Sequence, residues 1–176
     1  MKKAVLRYGL ISGLVLVVFF WVSFAIMSGA EADMATQEVF GYLSIIVSLV
    51  FVFFGIRSYR NEALNGKISF WRALGTGMLI TLFPAFLFGI FDTVYTTFIN
   101  PDFYSEYYDE MIQQYEATYS GEELQQKVEE MESMQAMISD YPYFGFILMF
   151  LTVAIIGFII SLISAMVLRR REVTEG

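Results

Sequence analysis

Asp92 is the acid that directly follows a long apolar run of this 176-residue chain, the charge-free stretch 73–91. A carboxylate held at the edge of such a run could carry a proton or pair with a cation, because low-dielectric surroundings make its charge costly and its partners decisive. Little other chemistry is on offer. The chain has no histidine and no cysteine, so it lacks an imidazole base, a thiol nucleophile, a disulfide and a Cys/His zinc site. Eleven acids and one lysine crowd into residues 101–142. They contain no D-x-[DN]-x-[DN]-G loop for calcium, and a solvated acidic face is the expected state of this segment. A hydrolase or transferase would need polar groups converging in a pocket, so no catalytic, cofactor-binding or metal-binding residue is assigned. No cofactor is expected, an enzyme is not expected, and no nucleic-acid partner is expected. The positions left as candidates for function are Asp92, Pro84, Arg57, Arg60 and Asp102.

The elements that position these residues follow from composition. Apolar residues make up 57% of the chain and charged residues 16%, against roughly a quarter charged in ordinary globular proteins. Four runs, 8–30, 39–56, 73–91 and 141–168, carry no charge. Each comes within reach of the roughly 20 apolar residues that a hydrocarbon core requires, and runs such as Leu14-Val15-Leu16-Val17-Val18 do not alternate as barrel strands would. Helices satisfy their backbone within the segment. The expected fold is therefore an all-α integral membrane protein, a four-transmembrane-helix bundle with spans at about 8–28, 39–56, 73–94 and 143–168. Every basic residue except Lys127 falls before span one, between spans two and three, or after span four. Lys and Arg are retained on the cytoplasmic side, which places both termini there and the 101–142 insert outside. A signal peptide ending at Ala30-Glu31-Ala32 is the rival for span one, but Leu10 to Met27 is longer than the usual core of about 7–15 residues. A span that starts near Ala73 brings Asp92 to the outer boundary, where a positional role outranks a polar pathway.

Small residues recur at four-residue spacing on every span: Gly9 and Gly13, Ser44 and Ser48, Ala73, Gly77 and Thr81, then Gly157, Ser161 and Ala165. Such stripes let helices approach closely, either within the bundle or between two copies of the chain. Pro84 should bend the third span by removing a backbone hydrogen bond. In the insert, Tyr104, Tyr108, Met111, Tyr115 and Tyr119 recur at helical spacing with acids opposite, and Leu124, Val128, Met131, Met134 and Ile138 do so again. Ser120 and Glu123 have the spacing of a capping box, and Glu123 and Lys127 that of an i,i+4 pair. The expectation is a helical hairpin over 102–140 that docks on its own bundle or on a protein partner, with the lipid bilayer as the other partner.

The runs Gly41-Tyr42-Leu43-Ser44-Ile45-Ile46, Phe53-Phe54-Gly55-Ile56-Arg57-Ser58-Tyr59-Arg60, Ile68-Ser69-Phe70-Trp71-Arg72-Ala73-Leu74 and Asn100-Pro101-Asp102-Phe103 resemble the DUF4199 family of bacterial membrane proteins. The resemblance implies a four-span protein of the bacterial inner membrane and no particular activity. It marks the segments around Arg57 and Arg60 and around Asp102 as signature positions. Physically, the first is a basic helix end favoured by the helix dipole and by an anionic leaflet, so topology accounts for it, with a headgroup or partner site as the alternative. Ser69 reads as an N-cap, and Asn100-Pro101 should end one helix and let Asp102 start the next. A structural or accessory membrane protein is the leading function, and a small transporter or channel component is the alternative.

Reporter fusions after Leu64 and after Glu175 should read cytoplasmic, and a fusion after Gly121 should read external. A cytoplasmic signal at Gly121 would sink this topology. N-terminal analysis of the membrane-extracted chain should recover the segment before Ala32.

Overall fold

The computed structural model describes residues 1–27, 34–141 and 143–170; the Ala30-Glu31-Ala32 segment and Arg171 lie outside the described residues. Among the described residues six α-helices follow one another: α1 Lys2–Met27, α2 Met34–Ala63, α3 Phe70–Val94, α4 Phe103–Thr118, α5 Glu122–Asp140 and α6 Tyr143–Leu168. Four of them, α1, α2, α3 and α6, are long and apolar enough to cross a membrane, and α4 and α5 lie between the third and fourth of these in the chain. The helices outrun the charge-free cores, because charged and polar residues at the ends of a span can stay helical at the interface. The α3 helix does so through Ser69, whose hydroxyl accepts the Arg72 amide at 3.4 Å, and it continues past Val94 into a π-helical turn, Tyr95–Ile99.

The chain divides into two compact units. The first comprises Met1–Phe88 and Phe150–Gly176, and its packing inverts that of a soluble domain. Ser12, Ser48, Thr81 and Ser161 are fully buried, whereas Leu14, Val18, Ile46, Phe86, Ile155 and Ile163 are exposed. That distribution suits helices whose outer faces meet hydrocarbon, where close backbone approach and interhelical hydrogen bonds replace hydrophobic burial as the cohesive force. Each small-residue stripe faces another helix. A Cβ at Gly9 would strike Phe83 of α3 at 2.6 Å, and one at Gly13 would strike Leu87. Gly77 lies against Ser161 of α6, and Gly157 against Thr81 of α3. The Ser12 hydroxyl of α1 donates to the Ser48 carbonyl of α2 at 2.7 Å. The Gly9/Gly13 face is thus filled within the chain. The Thr76 and Thr81 hydroxyls donate to the carbonyls of Arg72 and Gly77 one turn back, so these polar groups are satisfied without water.

The second unit, Gly89–Met149, holds the hairpin. Helices α4 and α5 pack on each other, with Tyr108 and Ile138 buried and Gln135 donating to the Ser105 hydroxyl at 3.3 Å. Met134, placed in the apolar stripe by its spacing, is instead exposed. The capping box is also not formed. Gly121 is the N-cap of α5, at φ +69°, with no side-chain cap hydrogen bond; the left-handed turn at glycine starts the helix one residue later than Ser120 would. Lys127 stands with its ammonium 4.6 Å from the Tyr119 ring and 5.3 Å from the Tyr115 ring, a cation–π clasp across the hairpin.

Overpacking a close helix contact costs typically 1–3 kcal/mol, so Gly77→Val should lower the melting temperature of the detergent-solubilised protein. Gly75→Val is the control, since nothing lies within 4 Å of a Cβ there. Ser161 Oγ is buried with no hydrogen-bond partner among the described residues, so Ser161→Ala should hold or raise the melting temperature.

Candidate functional site

Asp92 sits on the last turns of α3, inside the second unit, and is only 7% exposed. The helical run continues past it to Ile99, so the carboxylate does not mark a helix end. Its partner is Tyr104 on the first turn of α4, twelve positions later. The Tyr104 hydroxyl donates to the carboxylate, with Oη 2.9 Å from Oδ1 and 3.0 Å from Oδ2. Gly145 of α6 closes the third side. A Cβ there would come within 3.0 Å of both Asp92 Oδ2 and Tyr104 Oη, so the absence of a side chain at 145 is what admits the pair.

The backbone around this pair is built to hold it. The π-helical turn is closed by the Asn100 amide donating to the Tyr95 carbonyl at 2.9 Å, a geometry often found at functional positions in helices. Thr96 donates its hydroxyl to the Asp92 carbonyl at 2.9 Å, and Thr93 to that of Gly89 at 3.0 Å. Pro101, which has no N–H to donate, ends the helical run. Asn100 tethers the reversal through its carbonyl, which accepts the Phe103 amide at 3.2 Å, and through its side chain, which donates to Glu106 at 3.3 Å. Aromatic rings then fill the corner, with Tyr95 stacked on Phe91 and edge-on to Phe103, and Tyr104 stacked on Tyr108. Burial raises the Tyr104 phenol well above the usual tyrosine range, and the neighbouring Asp92 charge pushes it further the same way. Burial also raises Tyr108. Tyr104 is therefore a lasting neutral donor.

The other candidate positions are dispersed. Pro84 is fully buried in the first unit, within α3. Arg57 is exposed. Arg60 donates from Nη1 to the Leu168 carbonyl at 3.3 Å and from Nε to the Asn61 side chain at 2.9 Å, so it caps the end of α6. Asp102 is the exposed N-cap of α4 without a side-chain cap bond, and its carbonyl accepts the Glu106 amide. Of the five, Asp92 alone enters a buried side-chain pair. The periodicity places Tyr104 in an apolar stripe and passes over Gly145; the break at Asn100-Pro101 is legible, but nothing local pairs Tyr104 with Asp92 or marks Gly145 as the residue beside them. Among the described residues no three metal-capable side chains converge, and the pair itself offers a carboxylate and a phenol. What it can do is hold α4 in register.

A family described as a protein of unknown function, DUF4199, matches residues 7–170. No curated protein and no solved structure matches the chain.

Gly145→Val should push the two side chains apart and raise the protease sensitivity of α4. Because Tyr104 is held protonated above its ordinary range, the unfolded chain loses that proton first as the solution becomes alkaline. The Tyr104 contribution to stability should be complete at neutral pH and should fall as pH rises past about 10; a melting temperature that rises over that range in wild type relative to Tyr104→Phe would contradict it.

Proposed function

The chain belongs to the DUF4199 family, and from that premise we propose that it is a structural or accessory protein of the bacterial inner membrane, with both termini cytoplasmic and the α4/α5 hairpin as its working element. One observation carries this reading: the buried carboxylate of Asp92 is spent on Tyr104, a contact that fixes the start of the hairpin. A transport site needs a carboxylate that exchanges partners, whereas this one has a phenol donor within hydrogen-bond distance of both of its oxygens. The hairpin that it holds shows eleven carboxylates, all exposed. Charge complementarity then favours a partner surface rich in lysine and arginine, with association that weakens as salt rises. The reading includes no catalytic step and no cofactor.

The alternative is a small transporter or channel component, favoured by the burial of Asp92 near Pro84 in sequence on one apolar helix. The two readings part on Asp92→Asn, whose side-chain oxygen can still accept the Tyr104 hydroxyl. The accessory reading expects normal expression and an unchanged protection of α4 against proteolysis. Loss of a proton- or cation-coupled flux in proteoliposomes, with the fold retained, would replace it by the transporter. In mild detergent, a co-purifying basic protein should leave at high salt and be lost from Glu129→Gln/Glu130→Gln/Glu132→Gln. Retention by that variant would contradict the hairpin as the contact.

A further inference from the structure

We infer that about the last two turns of α5 rest in the headgroup layer of the bilayer, with lipid as the partner of an apolar face made by Met134, Met137 and Tyr141. All three side chains are exposed. The hairpin does not supply their partner. Its contact is made by Ile138, which is buried, and by Gln135, which donates to Ser105 of α4. At about 100° per residue the exposed face stands about a quarter-turn away from these two, so it cannot turn toward α4 without breaking their contacts.

Continuity with the fourth span identifies the occupant. The Tyr141 amide closes α5 on the Met137 carbonyl at 3.0 Å, and the Tyr141 carbonyl accepts the Phe144 amide of α6 at 2.8 Å. One residue thus belongs both to the end of the hairpin and to the start of a membrane span, which begins at Tyr143. The Tyr141 and Tyr143 rings are neighbours, with centroids 5.8 Å apart. Tyr143 and Ile147 are exposed one turn apart on α6, on the side of a span that meets hydrocarbon. The exposed apolar surface therefore runs from Ile147 through Tyr143 and Tyr141 to Met137, and the two tyrosines suit the headgroup level, where a ring meets lipid and its hydroxyl meets water. Depth agrees. Met137 stands one helical turn before Tyr141, about 6 Å along the axis, and the headgroup layer is about 5–7 Å deep on each side of the hydrocarbon.

The sequence of α5 changes character along this same face. Steps of three and four pass through Glu123, Lys127 and Glu130, and then through Met134, Met137 and Tyr141. Charge gives way to apolar side chains toward the end that joins the span, as a helix running from water into the interface requires. Glu132 lies on the opposite side of these turns and Asp140 on their flank, so neither carboxylate is carried into the lipid. The hairpin is then held at both ends, by Tyr104 on Asp92 at the start of α4 and by lipid at the end of α5, whichever partner its acids meet.

The chain has no cysteine, so single cysteines can carry an environment-sensitive fluorophore without background. Met134→Cys and Met137→Cys report the face. Gln126→Cys, nearer the start of α5, and Ala136→Cys, on another side of the same turns, are exposed references. The full chain is reconstituted in phosphatidylcholine vesicles, with iodide on both sides of the membrane as the aqueous quencher and, separately, a nitroxide near the top of the acyl chain as the lipid quencher. Since all four positions are exposed, the fold should survive, which a melting curve checks. Emission from Met134→Cys and Met137→Cys should be blue-shifted from the references, quenched by the nitroxide and protected from iodide, and the references should show the reverse. Iodide quenching of Met137→Cys equal to that of the references would leave the face in water and overturn the inference. Protection of Met137→Cys from both quenchers would put protein on the face, a second copy or another part of the chain, and overturn it equally.

Discussion

Close approach of helix backbones at residues with little or no side chain is the constraint on which the rest of the molecule depends. In hydrocarbon there is no solvophobic gain from putting one leucine against another, so helices hold together only where their surfaces come near enough for dispersion and for hydrogen bonds between them. Gly9 and Gly13 admit Phe83 and Leu87, Gly77 admits Ser161, and Gly157 admits Thr81. The large apolar residues are left to face outward, and buried serines and threonines return their hydroxyls mostly to nearby carbonyls. The same device recurs in the second unit, where Gly89 admits Phe146 and Gly145 admits the Asp92–Tyr104 pair.

That recurrence links packing to the proposed role. A buried carboxylate is tolerable when its charge is met by donors at short range and costly when it is not. In the second unit the donor comes from the element that needs to be positioned, so removing either partner both frees α4 and leaves an unmatched polar group. Function on this account lies in presentation. The hairpin keeps its acids exposed, Tyr108 buried with its other tyrosines half-buried, and its single lysine over two tyrosine rings.

Much of the architecture was legible in the sequence because membrane helices announce themselves in single segments. The charge-free runs gave the four spans, the four-residue stripes gave the faces that touch, Ser69 gave a cap, and Asn100-Pro101 gave the break before α4. The failures share a cause, which is that they depend on the chain meeting itself. Ser120 and Glu123 have the spacing of a capping box, but Gly121 takes the N-cap because its left-handed conformation sets where α5 can start. Met134 fits the apolar stripe by periodicity and is exposed, while its neighbour Gln135 is the residue that reaches Ser105 of α4. Neither Tyr104 as the partner of Asp92 nor the Arg170 amide as the partner of the Ile68 carbonyl has a local signature. Each arises from a reversal or a backbone bridge that no window of sequence contains.

The central claim is that Asp92 and Tyr104 act as one unit to hold the hairpin. A double-mutant cycle with Asp92→Ala and Tyr104→Phe, read by the hydrogen-exchange stability of α4 amides in the full-length protein, tests it most directly. Residues in a shared hydrogen bond couple by about 0.5–3 kcal/mol, so the double variant should be less destabilised than the sum of the two single variants by an amount in that range. Strict additivity, with α4 exchange unaffected by Tyr104→Phe, would contradict the account.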